Sequence, residues 1–298
     1  MKNIAVIDLG SNTFHLLIAQ LGEDGQWTPI HRHRVFARLA RTGMGPISEE
    51  AFREGLKTLR VFKQEIDEFQ VSHVKVVGTE MLRLASNGAE FVKQVKEQIG
   101  LEIEIISGLQ EAEYIYLGVK QLRGDASYLI MDIGGGSVEF ILVKDGVQKW
   151  MASFPIGIAV LYFRFHVNDP ISAQELAALT DYLASQTVHL AEAIQDDPVE
   201  ELVGASGVFD TFFELVGIPS DGEIDALDIR QKLKKLIQTT YAERMEMKTI
   251  PKTRKKMIIV SSVLLEFVLR LTSVKRIRYS PNSLKEGLLY SMIQENEL

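Results

Sequence analysis

Asp8-Leu9-Gly10-Ser11-Asn12-Thr13 places a carboxylate at the end of an apolar run, with small polar residues directly after it. Small residues leave backbone N–H groups free to converge on one point, and such a concavity binds phosphate through aligned amide dipoles. The adjoining Asp8 suits a cation or its bound water. Asp132-Ile133-Gly134-Gly135-Gly136-Ser137-Val138-Glu139 repeats the arrangement in stronger form. Three successive glycines weaken a strand pair, so they point to close backbone approach by something else. The loop has no Walker lysine, and Glu139 stands where a dinucleotide fingerprint needs its third glycine. Asp132 and Glu139 flank the loop and are placed to share a cation. A plain hairpin turn remains the alternative, with Gly10 and Asn12 at positive φ and Glu139 facing solvent.

Three further segments carry weaker signals. In Ile105-Ile106-Ser107-Gly108-Leu109-Gln110-Glu111-Ala112 a strand leads into a helix, which puts Glu111 in the first helical turn. Taken alone, an acid there reads as a surface residue favoured by the helix dipole. Gly204-Ala205-Ser206-Gly207 is another strand-to-helix turn of small residues, where Ser206 and Gly207 could face a phosphate. Arg83 follows a strand closely enough to reach an anion. His31 and His33 lie in the run His31-Arg32-His33-Arg34, with no acid at ligand spacing, and read as a solvated strand edge. Lys252-Thr253-Arg254-Lys255-Lys256 reads either as a charged helix start or as part of a polyanion path.

These residues need a scaffold, and the apolar pattern supplies one. Residues 4–8, 14–19, 74–77 and 103–106 read as strands. Helical periodicity marks 48–70, the stretch around Phe91–Ile99 and the stretch from Leu109 to Val119. Alternation of strand and helix argues for an α/β fold with a partly parallel sheet. After Gly124-Asp125 the opening returns: strand 128–132, a glycine turn and strand 138–143. Ile7, Asp8, Leu9, Gly10 and Thr13 match Met131, Asp132, Ile133, Gly134 and Ser137 at a constant offset, as a repeated unit would. Helices are expected at 172–194, 228–245, 252–271 and 283–295, strands near 202–204 and 276–279, and turns at 196–198 and 218–222.

The chain has 298 residues, 46% hydrophobic and 24% charged, which excludes a disordered or collagen-like polymer and favours two domains. Its apolar runs end well short of the ~20 residues of a membrane span, and the N-terminus lacks the long apolar stretch of a secretory signal. With no cysteine there is neither a disulfide framework nor a thiolate metal site, which is compatible with a cytoplasmic setting. A net charge of -7 argues against broad nucleic-acid binding, while a local basic pocket for an anionic substrate stays open.

The set DLGSNTFH, GTEMLR, IISGLQEA, DIGGGSVE and GASG, in that order, resembles the exopolyphosphatase / guanosine pentaphosphate phosphohydrolase (Ppx/GppA) family of the actin–sugar kinase–Hsp70 superfamily. The likeness extends to the closing YSPNSLKEGLL. It implies two actin-like (ribonuclease H-like) α/β domains related by internal duplication, at 1–124 and 125–282, with a phosphate-binding cleft between them. A C-terminal helix at about 283–298 would return to the first domain. The resemblance implies phosphate loops at Gly10, Ser11, Asn12 and Thr13 and at Gly134, Gly135, Gly136 and Ser137, with Arg83 as an anion contact. It makes Glu111 the base for an attacking water, and Asp8, Asp132 and Glu139 the acids around Mg²⁺ or another divalent cation. The implied reaction is hydrolysis of the terminal phosphoanhydride of polyphosphate, with guanosine pentaphosphate as the rival substrate and a homodimer as a plausible assembly.

The chain departs from the family pattern at Gln110, Glu113, Val208 and Lys285, which bears on the substrate path more than on the reaction. Its length leaves no room for the helical domain of longer members, so a reduced grip on long chains is expected. Two other classes stand beside this reading. A small-metabolite kinase would use Gly204–Gly207 for a nucleotide, and a non-enzymatic actin-like scaffold would have no use for Glu111, Asp132 and Glu139. The functional reading depends on the two hairpin tips meeting across a crevice, with Glu111 aimed between them.

Overall fold

The computed structural model describes residues 2–218 and 222–294. The chain divides into two compact units: one runs up to Gly118 and takes in the segment from Asn282 onward, and the other is Val119–Pro281.

The first unit begins β1 (Lys2–Leu9), β2 (Phe14–Leu21), β3 (Trp27–Val35) and α1 (Glu49–Glu68). It continues β4 (His73–Gly78), α2 (Glu80–Leu84), α3 (Gly88–Ile99), β5 (Ile103–Ile105) and α4 (Gly108–Arg123), within which the division falls. The five strands lie in the order β3-β2-β1-β4-β5, an antiparallel meander β1–β3 continued by β4 and β5 parallel to β1. As the central strand, β1 buries Ile4 through Ile7 completely, which is why it reads as an unbroken apolar run. Ser48 caps α1 by accepting from the Ala51 amide, and Leu56, Leu59, Phe62 and Ile66 fill the face that the periodicity assigned to the core.

The second unit holds β6 (Tyr128–Ile133), β7 (Val138–Lys144), β8 (Val147–Phe154), α5 (Ile158–Phe165), α6 (Ala173–Gln186) and α7 (Val188–Asp196). There follow β9 (Glu201–Gly204), α8 (Gly207–Val216), β10 (Glu223–Asp225), α9 (Ala226–Ile237), α10 (Tyr241–Glu246), α11 (Ile258–Thr272) and β11 (Arg276–Tyr279). Its sheet, β10-β11-β9-β6-β7-β8, has the same strand order and sense as the first, with β10 added antiparallel at one edge. The duplication reaches the irregularities. The register shift at Ile18/Ala19 recurs at Leu142/Val143, at the same offset that separates Asp8 from Asp132. Bulges are positional features of a fold, so their repetition marks one supersecondary unit used twice.

Three expected helices have different bounds. The helix expected at 172–194 breaks at Thr187, whose hydroxyl donates to the Leu183 carbonyl and competes with the helical ladder. The one expected at 228–245 divides because Thr240 and Glu243 form a capping box that starts α10 afresh. The one expected at 252–271 begins only at Ile258. Lys255 lies buried, with its ammonium on the Met245 carbonyl, and Arg254 donates to the Thr211 hydroxyl. Lys255 therefore serves packing and does not line a polyanion path. The expected turn at 218–222 falls partly outside the described residues. Among the described residues no helix is long and apolar enough to cross a membrane.

The last element, α12 (Leu284–Gln294), packs in the first unit against α4 through glycines. A Cβ on Gly287 would sit 1.7 Å from the Tyr114 carbonyl oxygen, and one on Gly118 would sit 2.4 Å from that of Ser283. Glu286 is fully buried on the same helix and takes Arg32 of β3 at 2.8 Å, while the Ser283 amide donates to its other oxygen. Gly287→Ala is expected to cost about 3 kcal/mol, the upper part of the overpacking range, because the obstacle is backbone that cannot rotate away. Thermal melting checks this, and an unshifted transition would mean that the helices can separate freely.

Candidate active site

The two hairpin tips are built alike. The Gly10 amide donates to the Thr13 carbonyl at 3.1 Å, and the Gly134 amide to that of Ser137 at 3.0 Å. Neither Gly10, Asn12 nor Gly134 has positive φ, so the glycines are not serving an ordinary left-handed turn. They make room: a Cβ on Gly134 would lie 2.9 Å from the Ser137 carbonyl oxygen.

Both tips spend their carbonyls on the segment that follows the third strand. In the first unit the amides of Ala40 and Arg38 donate to the carbonyls of Ser11 and Asn12, each at 2.9 Å. In the second, Ile158, Ala159 and Gly157 donate to Gly134, Gly135 and Gly136 at 2.8–3.0 Å. Among the described residues, the amides of Ser11, Asn12, Thr13, Gly135, Gly136 and Ser137 donate to no protein acceptor. Each tip is thus held from behind through its acceptors and keeps a row of backbone donors that the described protein does not engage, the kind of arrangement that can bind an anion.

In the first unit α2 and α4 bring Arg83 and Glu111 together. Nη1 and Nη2 of Arg83 each lie 3.2 Å from Glu111 Oε2, and Nη2 also donates to Glu80 Oε2 at 2.6 Å. Nη1 donates further to the Ile106 carbonyl at 2.5 Å. Burial alone would lower the Arg83 pKa, but the charges of Glu111 and Glu80 outweigh it and raise the pKa, so the guanidinium stays charged. Glu111 is 8% exposed, which departs from the surface role that its helix position alone suggested. Ser107 and Gln110 form a reciprocal cap, the Ser107 amide donating to Gln110 Oε1 and the Gln110 amide to Ser107 Oγ. This S-x-x-Q box fixes the first turn of α4, on which Glu111 sits. Gln110, a departure from the family pattern, thereby acquires a structural reason.

In the second unit Asp132 and Glu139 are direct cross-strand partners, so their side chains share one face. Glu139 is 1% exposed and accepts from the Ser153 hydroxyl at 2.7 Å. Ser206 accepts from the Ile133 amide at 3.1 Å, which ties the end of β6 to the start of α8, where Gly207 is the first residue. Gly204 is a packing glycine, since a Cβ there would meet the Phe209 ring at 2.2 Å. Glu80, Ser153 and Gly157 are additions to the residues singled out from sequence. Only Glu80 had a readable signal, its i,i+3 spacing to Arg83. His31 and His33 are also corrected: α1 supplies the acid that the local sequence lacks, in Glu65. A cavity of about 360 Å³ in the second unit is lined by residues that include Tyr162, His166, Asp169, Tyr241, Arg244 and Lys256, of which only Lys256 is singled out from sequence, in the basic run.

The position equivalent to Glu139 in the first unit is His15, paired across from Asp8. Burial, then the charges of Lys285 and Arg34, push its pKa down to about 3, so the imidazole is neutral in the folded protein. An unfolded chain would bind that proton near pH 6.5. Stability is therefore complete above pH 6.5 and declines toward pH 3, at up to about 1.4 kcal/mol per pH unit. His15→Gln is expected to flatten that acid limb in urea denaturation followed against pH, and an unchanged limb would contradict a neutral His15.

Two α/β units with a shared strand order, each with a tight tip after its first strand, define the duplicated actin-like, ribonuclease-H-like fold class. The family model of the Ppx/GppA phosphatase family matches residues 17–296, and the chain belongs to that family. A crystal structure of an exopolyphosphatase from Cytophaga hutchinsonii is similar at 35% identity and a TM-score of 0.92, over 99% of this chain and 98% of the other. The Aquifex aeolicus family member is similar at 28% identity and a TM-score of 0.82, over 100% and 99% of the two chains. The chain is accordingly an enzyme, a phosphoanhydride hydrolase.

Proposed function

We propose that the chain is an exopolyphosphatase that removes orthophosphate from the ends of inorganic polyphosphate with the help of a divalent cation, Mg²⁺ in the first instance. The observation that carries this is the pair of tips whose carbonyls are bound by protein and whose following three amides are not, one of them in the same unit as the buried Arg83–Glu111 pair. The name of the Cytophaga hutchinsonii relative supports polyphosphate as the substrate.

Phosphoanhydride cleavage requires positioning and charge neutralisation more than covalent chemistry. In the proposed mechanism the amides of Ser11, Asn12 and Thr13 and those of Gly135, Gly136 and Ser137 orient the terminal phosphates, with Ser206 and Gly207 a further contact. Arg83, charged and anchored by Glu80, faces the charge that builds on the transferring phosphoryl. Glu111 takes the proton of the attacking water at its carboxylate oxygen. Asp8, Asp132 and Glu139 offer only oxygen donors, which fits a hard cation, and the same-face placement of Asp132 and Glu139 suits a shared ion. Such an ion supplies neutralisation of phosphate charge.

Phosphate release measured from polyphosphates of defined length and from guanosine pentaphosphate tests the reading. The expected result is orthophosphate from polyphosphate, abolished by chelation, restored by Mg²⁺, and exceeding release from the nucleotide in kcat/KM. A preference for the nucleotide would overturn the substrate, and ATP-dependent transfer to an acceptor would overturn hydrolysis.

A further inference from the structure

We propose that His31, His33 and Glu65 form a binding site for a divalent transition metal of the zinc class, separate from the oxygen-only acids assigned to the reaction. His31 and His33 are two residues apart on the edge strand β3, so both rings point to the same face, toward α1. Glu65 comes from the facing turn of α1. His33 Nδ1 lies 2.8 and 3.0 Å from the two Glu65 oxygens, and His31 Nε2 lies 3.2 Å from Oε2. One ligand atom from each residue falls within 4.8 Å of the other two.

The rings are already oriented. His31 stacks on Phe69 with centroids 4.9 Å apart, and His33 packs against Phe62 at 5.2 Å. His31 Nε2 is buried and has no hydrogen-bond partner among the described residues, since its approach to Glu65 lacks the alignment of a bond. A buried imidazole nitrogen left in that state is unfavourable, and a cation between it and the carboxylate would satisfy both.

Two imidazoles and a carboxylate are the ligand set of an open tetrahedral zinc site, and imidazole selects zinc, cobalt, nickel or copper over magnesium. Metal–ligand bonds of about 2.1 Å put ligand atoms roughly 3.4 Å apart in a tetrahedron, so movements of about 1 Å convert the observed cluster into a coordination shell. The bound ion would fasten the edge strand β3 to α1. The two arginines that alternate with the histidines stay outside this shell: Arg32 goes to Glu286 of α12, and Arg34 lies near His15.

The test is Co²⁺ titration of chelator-treated full-length protein, followed by visible d–d absorption and by melting temperature. The expected result is one Co²⁺ per chain, with a raised melting temperature and displacement by Zn²⁺. His31→Gln with His33→Gln is expected to weaken binding by more than about 100-fold, beyond what loss of a ligand's supporting contact costs, while Mg²⁺-supported phosphate release stays unchanged. No saturable binding by the wild-type chain, or equal binding by the double variant, would overturn the proposal. Should the double variant fold poorly, zinc-edge anomalous diffraction from zinc-soaked wild-type crystals decides the matter. A peak among the three side chains supports the site, and its absence removes it.

Discussion

Glu111→Gln is expected to lower the turnover of phosphate release by about 10²–10⁴-fold, the range for loss of a general base. Gln keeps the size of the side chain and one acceptor for Arg83, and Glu80 still holds the guanidinium through Nε and Nη2. Substrate should therefore bind nearly as before, so the loss falls on kcat and leaves KM close to its wild-type value. The Ser107–Gln110 box uses neither oxygen of Glu111 and so preserves the start of α4, and circular dichroism and melting should be unaltered. Turnover within a few-fold of wild type would remove Glu111 from the chemistry.

Gly157→Ala should cost activity by roughly 100-fold without any change in a residue that meets substrate. The added Cβ would stand 2.3 Å from the Gly136 carbonyl carbon and 2.5 Å from the carbon and oxygen of Gly135. Restoring ordinary contact means moving the triglycine tip by about 1 Å, a misplacement known to cost about two orders of magnitude. The three amides of 157–159 that hold the tip's carbonyls would be displaced with it. Here the effect should appear in KM as well as kcat, because the donors for the anion are themselves moved. Wild-type kinetics in this variant would show that the tip tolerates displacement, and with it that its amides do not set the phosphate position.

What could be read in the sequence was what is local. The tips, their flanking acids and the constant offset between them lie within short segments, and the offset extends to a bulge that no residue pattern announced. The partners that complete the site were hidden because they come from other elements. Ser153 reaches Glu139 from the next strand, Gly157 backs the tip from the start of α5, and Glu65 meets two histidines from a helix some thirty residues on. Lys255 stayed open between two readings for the same reason: a lysine in a basic run reads as solvated until a carbonyl elsewhere claims it. Glu111 was ambiguous by its position alone, and its burial beside Arg83, which arrives on a different helix, sets it apart from a surface acid.

The glycine crossing of α12 on α4 bears on how the chain is made. The second unit is continuous in sequence, whereas the first needs a helix that begins at Leu284. On the ribosome the segment translated first must wait for a segment translated after the whole second unit, and Val119–Pro281 can close while its predecessor is still incomplete. Nascent chains halted shortly before α12 should thus hold a protease-resistant second unit beside a protease-sensitive first one, the reverse of the usual N-terminal-first order of vectorial folding.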